Sequence, residues 1–248
     1  MRFRLTIILL TLLAFLIVPH LVMAHRIQGY AHWSQATWAS AGIIAADPAK
    51  TEDAVIQVYA ARAWGWKGVF AVHSWIVLKH AGSNDYDRYE VVGWGVNRGL
   101  PAVRQNRHAP DGHWAGNPPE LLLDRRGPDV ETLVQKVERA IAAYPFPSSY
   151  ITWPGPNSNT FVAHLGRQVP ELGLELPPTA VGKDFLGKAS FAASTPSGSG
   201  YQLSMLGVLG LSLSREEGFE LHLLGLTLGF DPLDIAIKLP GLGRISFL

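Results

Sequence analysis

The first strong pattern in the chain is an apolar run that is too continuous for a surface strand. Residues 68–78 are almost all apolar and many are β-branched, which is typical of a buried strand. A polar turn at 82–85 follows, and a second strand-like run covers 89–96. The pattern therefore predicts a β-hairpin over 68–96, preceded by a further strand over 54–61.

Two stretches have helical spacing instead. Apolar residues recur every three or four positions over 130–144, with Asp129 placed to cap the start of a helix that ends before a proline. A second helix is predicted to begin near Asn157 or Ser158, directly after a Trp-Pro-Gly-Pro sequence. Between the hairpin and the first helix, residues 97–128 are rich in Pro, Gly, Asn and His, which predicts either an ordered excursion or a long loop.

The C-terminal part has a different texture. Residues 194–200 are small and are predicted to form a linker between a main domain over 25–193 and a smaller unit over 201–248. Beyond the linker, apolar strand-like runs alternate with charged turns and predict a β-meander; they cover 201–213, 219–229 and 233–239. We expect the main domain to cover this meander. Left exposed, it would favour membrane contact or self-association.

The N-terminus has the pattern of an export segment. Arg2 and Arg4 precede an apolar stretch over 5–18, and a small residue pattern ends at Ala24. Residues 1–24 are therefore predicted to be a signal peptide or a membrane anchor, rather than a buried N-terminal helix. Either alternative predicts an exported protein, periplasmic or anchored to the membrane through this segment and facing the periplasm.

Composition narrows the function. The 248 residues are 48% hydrophobic and 17% charged, which allows a large core, and a net charge of +1 without basic clusters makes nucleic-acid binding unfavourable. The chain has no cysteine, which excludes a thiol nucleophile, a thiolate-bound zinc and a redox pair. No cofactor is expected. The residues His108, Asp111 and His113 are interpreted as part of a solvated loop rather than as metal ligands.

Two residue positions are candidates for chemistry. His73 lies inside the apolar strand, where both of its ring nitrogens must find partners or act on a ligand. Ser158 lies where a helix begins, next to backbone N–H groups that are able to stabilise an oxyanion. The structural alternatives are that Ser158 caps the helix and that His73 is hydrogen-bonded in the core.

The arrangement of these motifs resembles a known group of proteins. A strand histidine followed much later by Asn-Cys-x-x-Phe-Val at a helix start is the pattern of permuted papain-like proteins, such as the lecithin–retinol acyltransferases and relatives of NlpC-type peptidases. The resemblance implies an α+β fold, with an antiparallel sheet packed on helices. It also implies that His73 is a general base and that Ser158 occupies the position of the nucleophilic cysteine.

The chain resembles a second family more extensively. Over most of 30–245 it is similar to the bacterial family called domain of unknown function 3750. Three motifs carry the resemblance: His-Ser-Trp-Ile-Val-Leu from His73, Trp-Pro-Gly-Pro-Asn-Ser-Asn-Thr-Phe from Trp153, and Leu-Gly-Leu-Thr-Leu-Gly-Phe-Asp-Pro from Leu224.

These observations define a candidate site and two main functions. Glu90 is the best candidate for a third group that orients the pair of His73 and Ser158, and Asn97 is the second candidate. The residues expected to contact a substrate are Trp75, Trp94, Trp153, Asn157 and Asn159. The first function is a serine-variant hydrolase or acyltransferase acting on an envelope amide or ester. The alternative is a non-catalytic, membrane-associated binding or scaffolding protein, or an assembly factor that acts through its C-terminal meander.

Overall fold

A computed structural model describes residues 36–42 and 47–247, together with Ser34 and scattered residues from Thr6 to Ala24. Among these described residues, no helix combines the length and the apolar character needed to cross a bilayer. Most of the predicted export segment, 1–24, lies outside the described residues, so export stays a prediction.

The first half of the described chain forms a five-stranded antiparallel sheet in the order β4-β3-β2-β1-β5. Its strands are β1 (Ala54–Arg62), β2 (Val72–Lys79), β3 (Asp87–Val91), β4 (Val103–Asn106) and β5 (Pro119–Gly127). The predicted hairpin is confirmed as β2 and β3. Of the two alternatives for 97–128, the long loop is wrong, because this segment contains both edge strands, whose exposed polar residues hide their strand character.

The two faces of this sheet have different neighbours. Helices α1 (Val130–Ala142) and α2 (Ser158–Gln168) cover the face that carries Ile76 and Leu78, and together they form the larger core. The opposite face carries Tyr59, Trp75 and Val77, and the loop residue Trp114 covers it. Strands β1 and β2 are therefore buried on both faces, which explains their continuous apolar sequence.

The C-terminal part is a seven-stranded antiparallel meander, as predicted. Its strands are β6 (Ala192–Ser194), β7 (Gly200–Met205), β8 (Leu209–Ser214), β9 (Gly218–Leu223), β10 (Leu226–Asp231), β11 (Ala236–Leu239) and β12 (Gly243–Ser246). The predicted runs over 201–213 and 219–229 are each two strands, joined by short turns at Gly207 and Gly225. Both glycines have positive φ, which a tight turn requires.

The segment predicted as a linker, 194–200, is instead a hairpin turn between β6 and β7. Thr195, Pro196 and Ser197 are buried in it. The Ser197 hydroxyl donates to the Glu217 carboxylate at 2.6 Å, and its backbone N–H donates to the same carboxylate at 2.9 Å. The residues of this segment are small because the turn packs tightly, rather than because it is flexible.

The seven-stranded sheet has an apolar face that points away from the rest of the protein, which we call the outer face. It consists of three rows of directly opposed residues: Met205, Leu209, Leu223 and Leu226; Leu203, Leu211, Leu221 and Leu228; and Tyr201, Leu213, Phe219, Phe230, Ile237 and Ile245. Many of these side chains are exposed, including Tyr201 at 80% and Met205 at 66%. The expectation that the main domain covers the apolar residues of the meander is therefore wrong.

The inner face of the same sheet is polar and packs against the α+β part. Its buried side chains are Gln202, Ser204, Ser212, Glu220, His222, Thr227 and Lys238. Glu220 lies 2.8 Å from the Lys183 ammonium and 3.0 Å from that of Lys238, which also contacts Glu175 at 2.6 Å. Burial acts to raise the pKa of Glu220, but the two lysines outweigh it and hold this pKa below its ordinary value.

We predict that Glu220→Gln lowers the free energy of unfolding by about 3 kcal/mol, because it leaves two buried ammonium groups without their common partner. Chemical denaturation measures this loss. Since pairing lowers the pKa of Glu220, the difference between the two proteins is fully present above about pH 4.5 and shrinks as the pH falls further. Glu216→Gln, at an exposed turn position, is the control and should cost about 0.5 kcal/mol or less. Equal effects of the two substitutions would contradict the role of Glu220.

Candidate functional site

A cavity of about 700 Å³ opens at the end of the five-stranded sheet where β2 begins and β3 ends. The start of α2 and the turn between β9 and β10 close its other sides, so both sheets contribute to its wall. Most of the wall is apolar: Trp64, Trp66, Phe70, Trp94, Trp114, Tyr150, Trp153, Leu224 and Leu226. The polar lining includes His73, Ser158 and the two asparagines that flank it. This composition is typical of a site for a small, largely apolar ligand.

His73 is fixed by aromatic stacking and by a carboxylate. Its ring lies parallel to that of Trp114, with centroids 3.5 Å apart. Its Nε2 is 2.9 Å from Glu90 Oε2 on β3. The Glu90 carboxylate also accepts hydrogen bonds from Arg88 at 3.2 Å and from Asn106 at 2.8 Å. Glu90 therefore holds the imidazole in one orientation from behind the cavity wall.

The charges of this pair follow from its surroundings. Burial lowers the pKa of His73 below its ordinary value of 6.5, although the Glu90 carboxylate acts in the opposite direction. For Glu90, burial acts to raise the pKa, but the hydrogen bond from His73 and the charge of Arg88 bring it down to about 2. At neutral pH the imidazole is therefore neutral and Glu90 is ionised. The Nε2–H donates to the carboxylate, and Nδ1 carries the lone pair.

Ser158 is the first residue of α2, and its neighbour Asn157 provides the cap. The Asn157 Oδ1 accepts from the amides of Asn159 and Thr160, both at 3.0 Å. Its Nδ2 donates at 3.1 Å to a carbonyl in each of two neighbouring segments, at Thr152 and Val181. Within residues 47–247, no hydrogen bond uses the hydroxyl or the amide N–H of Ser158. Helix capping therefore does not account for this serine.

Asn159 connects the start of α2 to β2. Its Oδ1 accepts a hydrogen bond from the Ser74 hydroxyl at 2.9 Å, and its Nδ2 donates at 3.0 Å to the carbonyls of Val72 and Val181. The side-chain amides of Asn157 and Asn159 thus already have protein partners. They shape the cavity, although they were predicted to contact a substrate.

Alternation along β2 separates His73 from α2. Ser74 points to the helical face, where it meets Asn159, whereas His73 points to the opposite face with Trp75. Among the residues that the structure describes, no hydrogen bond joins the His73 ring to the Ser158 hydroxyl. Both residues nevertheless line the same cavity, because it lies at the open end of the sheet where the two faces meet.

The remaining predicted site residues divide into two groups. Trp94 and Trp153 line the cavity and are half-exposed. Trp75 does not line it, because it is fully buried beneath the Arg88 guanidinium, 4.1 Å from the ring centroid, and its Nε1 donates to the Pro110 carbonyl. Asn97, the second candidate for the third group, is exposed, and the amide that donates to Glu90 is that of Asn106 on β4.

Sequence analysis missed several residues of the site. Trp114 lies in the segment taken for a loop, and Leu224 and Leu226 come from the other sheet, so no local signal marked them. The pairing of Arg88 with Glu90 was detectable in principle, because the two residues are two positions apart on β3 and such residues share a face of the sheet. In the described part of the chain, no group of three or more His, Asp or Glu side chains is placed to hold a metal ion.

Fold and site together define an α+β protein of two antiparallel sheets with an aromatic-walled cavity between them. The chain belongs to the family described as "Protein of unknown function (DUF3750)", whose family model matches residues 53–185. The match contains the five-stranded sheet, both helices, His73, Glu90 and Ser158, and it ends before the seven-stranded sheet. Neither a curated protein nor a solved structure gives a significant match to the chain.

We predict that Glu90→Gln lowers the pKa of His73 further, because burial then acts on the imidazole without a compensating carboxylate. Titration of the histidine resonances by NMR measures this pKa. Glu131→Gln is the control within the same chain: Glu131 contacts His80 at 2.7 Å and raises its pKa, so this substitution should lower the pKa of His80 and leave that of His73 unchanged. A pKa of His73 that is unchanged or raised in Glu90→Gln would contradict the pairing.

Proposed function

We propose that this protein is an exported component of the cell envelope that binds an amphiphilic ligand in the cavity. The cavity itself carries this proposal, since one part of its wall is aromatic and aliphatic and another part is polar, with Lys67 as a cationic residue of the lining. An acyl or similarly apolar chain lies against the tryptophans and leucines. A polar head group lies at His73 and at the hydroxyl and amide of Ser158. The proposed location in the envelope rests on the apolar N-terminal pattern.

We also propose that the α+β part is a permuted papain-like domain. A strand histidine and, much later, a serine at a helix start occur in the chain order of that group, and both His73 and Ser158 line one cavity. The departure from the pattern is chemical. A serine hydroxyl is a much weaker acid than a thiol, so it depends fully on a base that removes its proton during attack.

Two observations favour binding over turnover. His73 leaves β2 on the face opposite α2, and among the described residues no hydrogen bond joins Ser158 to this base, as a serine nucleophile needs. The amide groups of Asn157 and Asn159 are saturated by protein partners, so they hold the cavity in shape rather than act on a substrate.

A serine acyl hydrolase or acyltransferase is the second candidate. It is favoured by the ionised Glu90, which leaves the Nδ1 lone pair of His73 unprotonated, and by the Ser158 hydroxyl and amide that have no partner within residues 47–247. In this reaction the Ser158 oxygen attacks an ester or amide carbonyl and gives its proton to His73. The oxyanion accepts a hydrogen bond from the Ser158 amide. The leaving alkoxide or amine then takes the proton, and water or an acceptor alcohol releases the acyl group.

Binding is tested by filling the cavity. We predict that Ala71→Trp weakens the affinity for dodecanoate by more than about tenfold, because the indole occupies volume that the acyl chain needs. Isothermal titration calorimetry on the full chain measures the affinity. Ala142→Trp, at an exposed position near the end of α1, is the control and should bind as the unchanged protein does. Equal affinity of the two variants would place the ligand outside the cavity and contradict the proposal.

Catalysis is tested at the hydroxyl. For a purely binding protein we predict that a fluorophosphonate probe does not label Ser158 and that Ser158→Ala still binds dodecanoate. Gel fluorescence and mass spectrometry detect the label, with Ser149→Ala, an exposed serine, as the control. Labelling that is lost in Ser158→Ala and retained in Ser149→Ala would instead establish the acyl-transfer candidate.

A further inference from the structure

We propose that the outer face of the seven-stranded sheet lies on a lipid bilayer. This surface is distinct from the cavity, and the proposal does not require that the cavity holds a ligand.

The outer face is apolar without interruption through its central strands. In the row of Leu203, Leu211, Leu221 and Leu228, each leucine lies directly opposite the next across four strands. Inward positions of the same strands carry serine, glutamate, histidine and threonine, all buried. A sheet with one face in water normally has apolar residues on its inner face and polar residues on its outer face. This sheet has the opposite arrangement, so its outer face is suited to contact with an apolar medium rather than with water.

The size of the surface supports a specific role. Four central strands spaced about 4.8 Å apart, with six residues each, give an apolar face of about 20 by 20 Å, or about 400 Å² in projection, and the third row extends it over two further strands. This is within the range of the largest apolar patches on monomeric soluble proteins, which are often functional. Scattered surface leucines are ordinary, but three adjoining rows are not.

The chemistry of the outer face favours lipid over a second copy of the chain. Interfaces between proteins contain about one hydrogen bond per 100–200 Å². The three rows offer the Tyr201 hydroxyl as their side-chain hydrogen-bonding group, with Ser194 beside it on β6. Such a surface has too few hydrogen-bonding groups to fix the position and orientation of a partner protein. Acyl chains need no such groups.

The N-terminal segment provides a second, independent argument. Its described side chains Leu10, Leu13 and Leu21 are 50–64% exposed. The segment meets the folded protein at His20, which stacks on Phe70 with ring centroids 4.4 Å apart and lies against Gly241 in the turn between β11 and β12. An exposed apolar segment therefore joins the protein at an edge of the sheet that carries the outer face.

The absence of cysteine from the chain allows a site-specific test. We would label Leu211→Cys with a polarity-sensitive fluorophore in the full chain and add phosphatidylcholine vesicles, with or without a nitroxide in the middle of the acyl chain. The expected result is a blue shift on addition of vesicles and loss of emission with the nitroxide lipid. Ala142→Cys, near the end of α1, should show neither. Leu213→Cys is a second position in case the first variant does not fold.

Each other outcome overturns the proposal. If the protein floats with the vesicles but the nitroxide does not quench the Leu211→Cys label, the N-terminal segment alone binds lipid. If the label is blue-shifted before vesicles are added and sedimentation shows a dimer, the outer face is an interface between copies. If the protein does not float with the vesicles, no lipid covers the face.

Discussion

The architecture depends on one buried group of charges, in which the carboxylate of Glu220 on β9 is paired with Lys183 and with Lys238 on β11. Ions of this kind are tolerated away from water only when they are paired, so the sheet face that carries Glu220 must be the one that reaches Lys183. Because successive side chains of a strand point to opposite faces, the residues between these inward positions must point to the outer face. The inward position of a few charges thus requires the outward position of the leucines.

The same orientation completes the cavity. With the polar face inward, the turn between β9 and β10 lies against the loop before α2, where the Trp153 Nε1 donates to the Leu224 carbonyl at 2.7 Å. Gly225 packs so closely there that a Cβ would come within 3.1 Å of the Trp153 indole. The apolar wall of the cavity therefore depends on the seven-stranded sheet, although the family match covers only the part of the chain that carries His73 and Ser158.

A different constraint determines the polar lining of the cavity: alternate residues of β2 point to opposite faces of the sheet. Ser74 occupies the helical face and is tied to Asn159, so His73 must point to the other face. No side-chain rotation changes which face a strand residue leaves from. Contact between His73 and Ser158 would therefore have to occur around the end of the sheet, through the cavity itself. This is why a ligand that spans both residues fits the geometry more directly than a preformed nucleophile and base.

Sequence patterns predicted β1 to β3, both helices and the meander because each has a recognisable apolar pattern: nearly continuous runs in β1 and β2, helical spacing in the helices and alternation in the meander. They failed for β4 and β5, whose polar edge residues read as loop, and for the outer face, because leucines on a strand are ordinarily assigned to the interior. In the site, His73, Glu90 and Ser158 were detectable as polar residues at buried or helix-start positions. Trp75 was misassigned, since it lies on the same face as His73 but about 7 Å deeper along the strand, where Arg88 seals it.

The two apolar surfaces of the molecule meet at one residue. Leu226 belongs to a row of the outer face, opposite Leu223, and it also lines the cavity together with Leu224. Apolar surface therefore continues from the outer face into the cavity, whose wall also contains the half-exposed Trp94 and Trp153. Indole rings are favoured where water meets hydrocarbon, and both tryptophans lie where the cavity meets solvent. If lipid lies on the outer face, an acyl chain would reach the apolar wall of the cavity along Leu226 without crossing water, and its polar head would lie at His73 and Ser158.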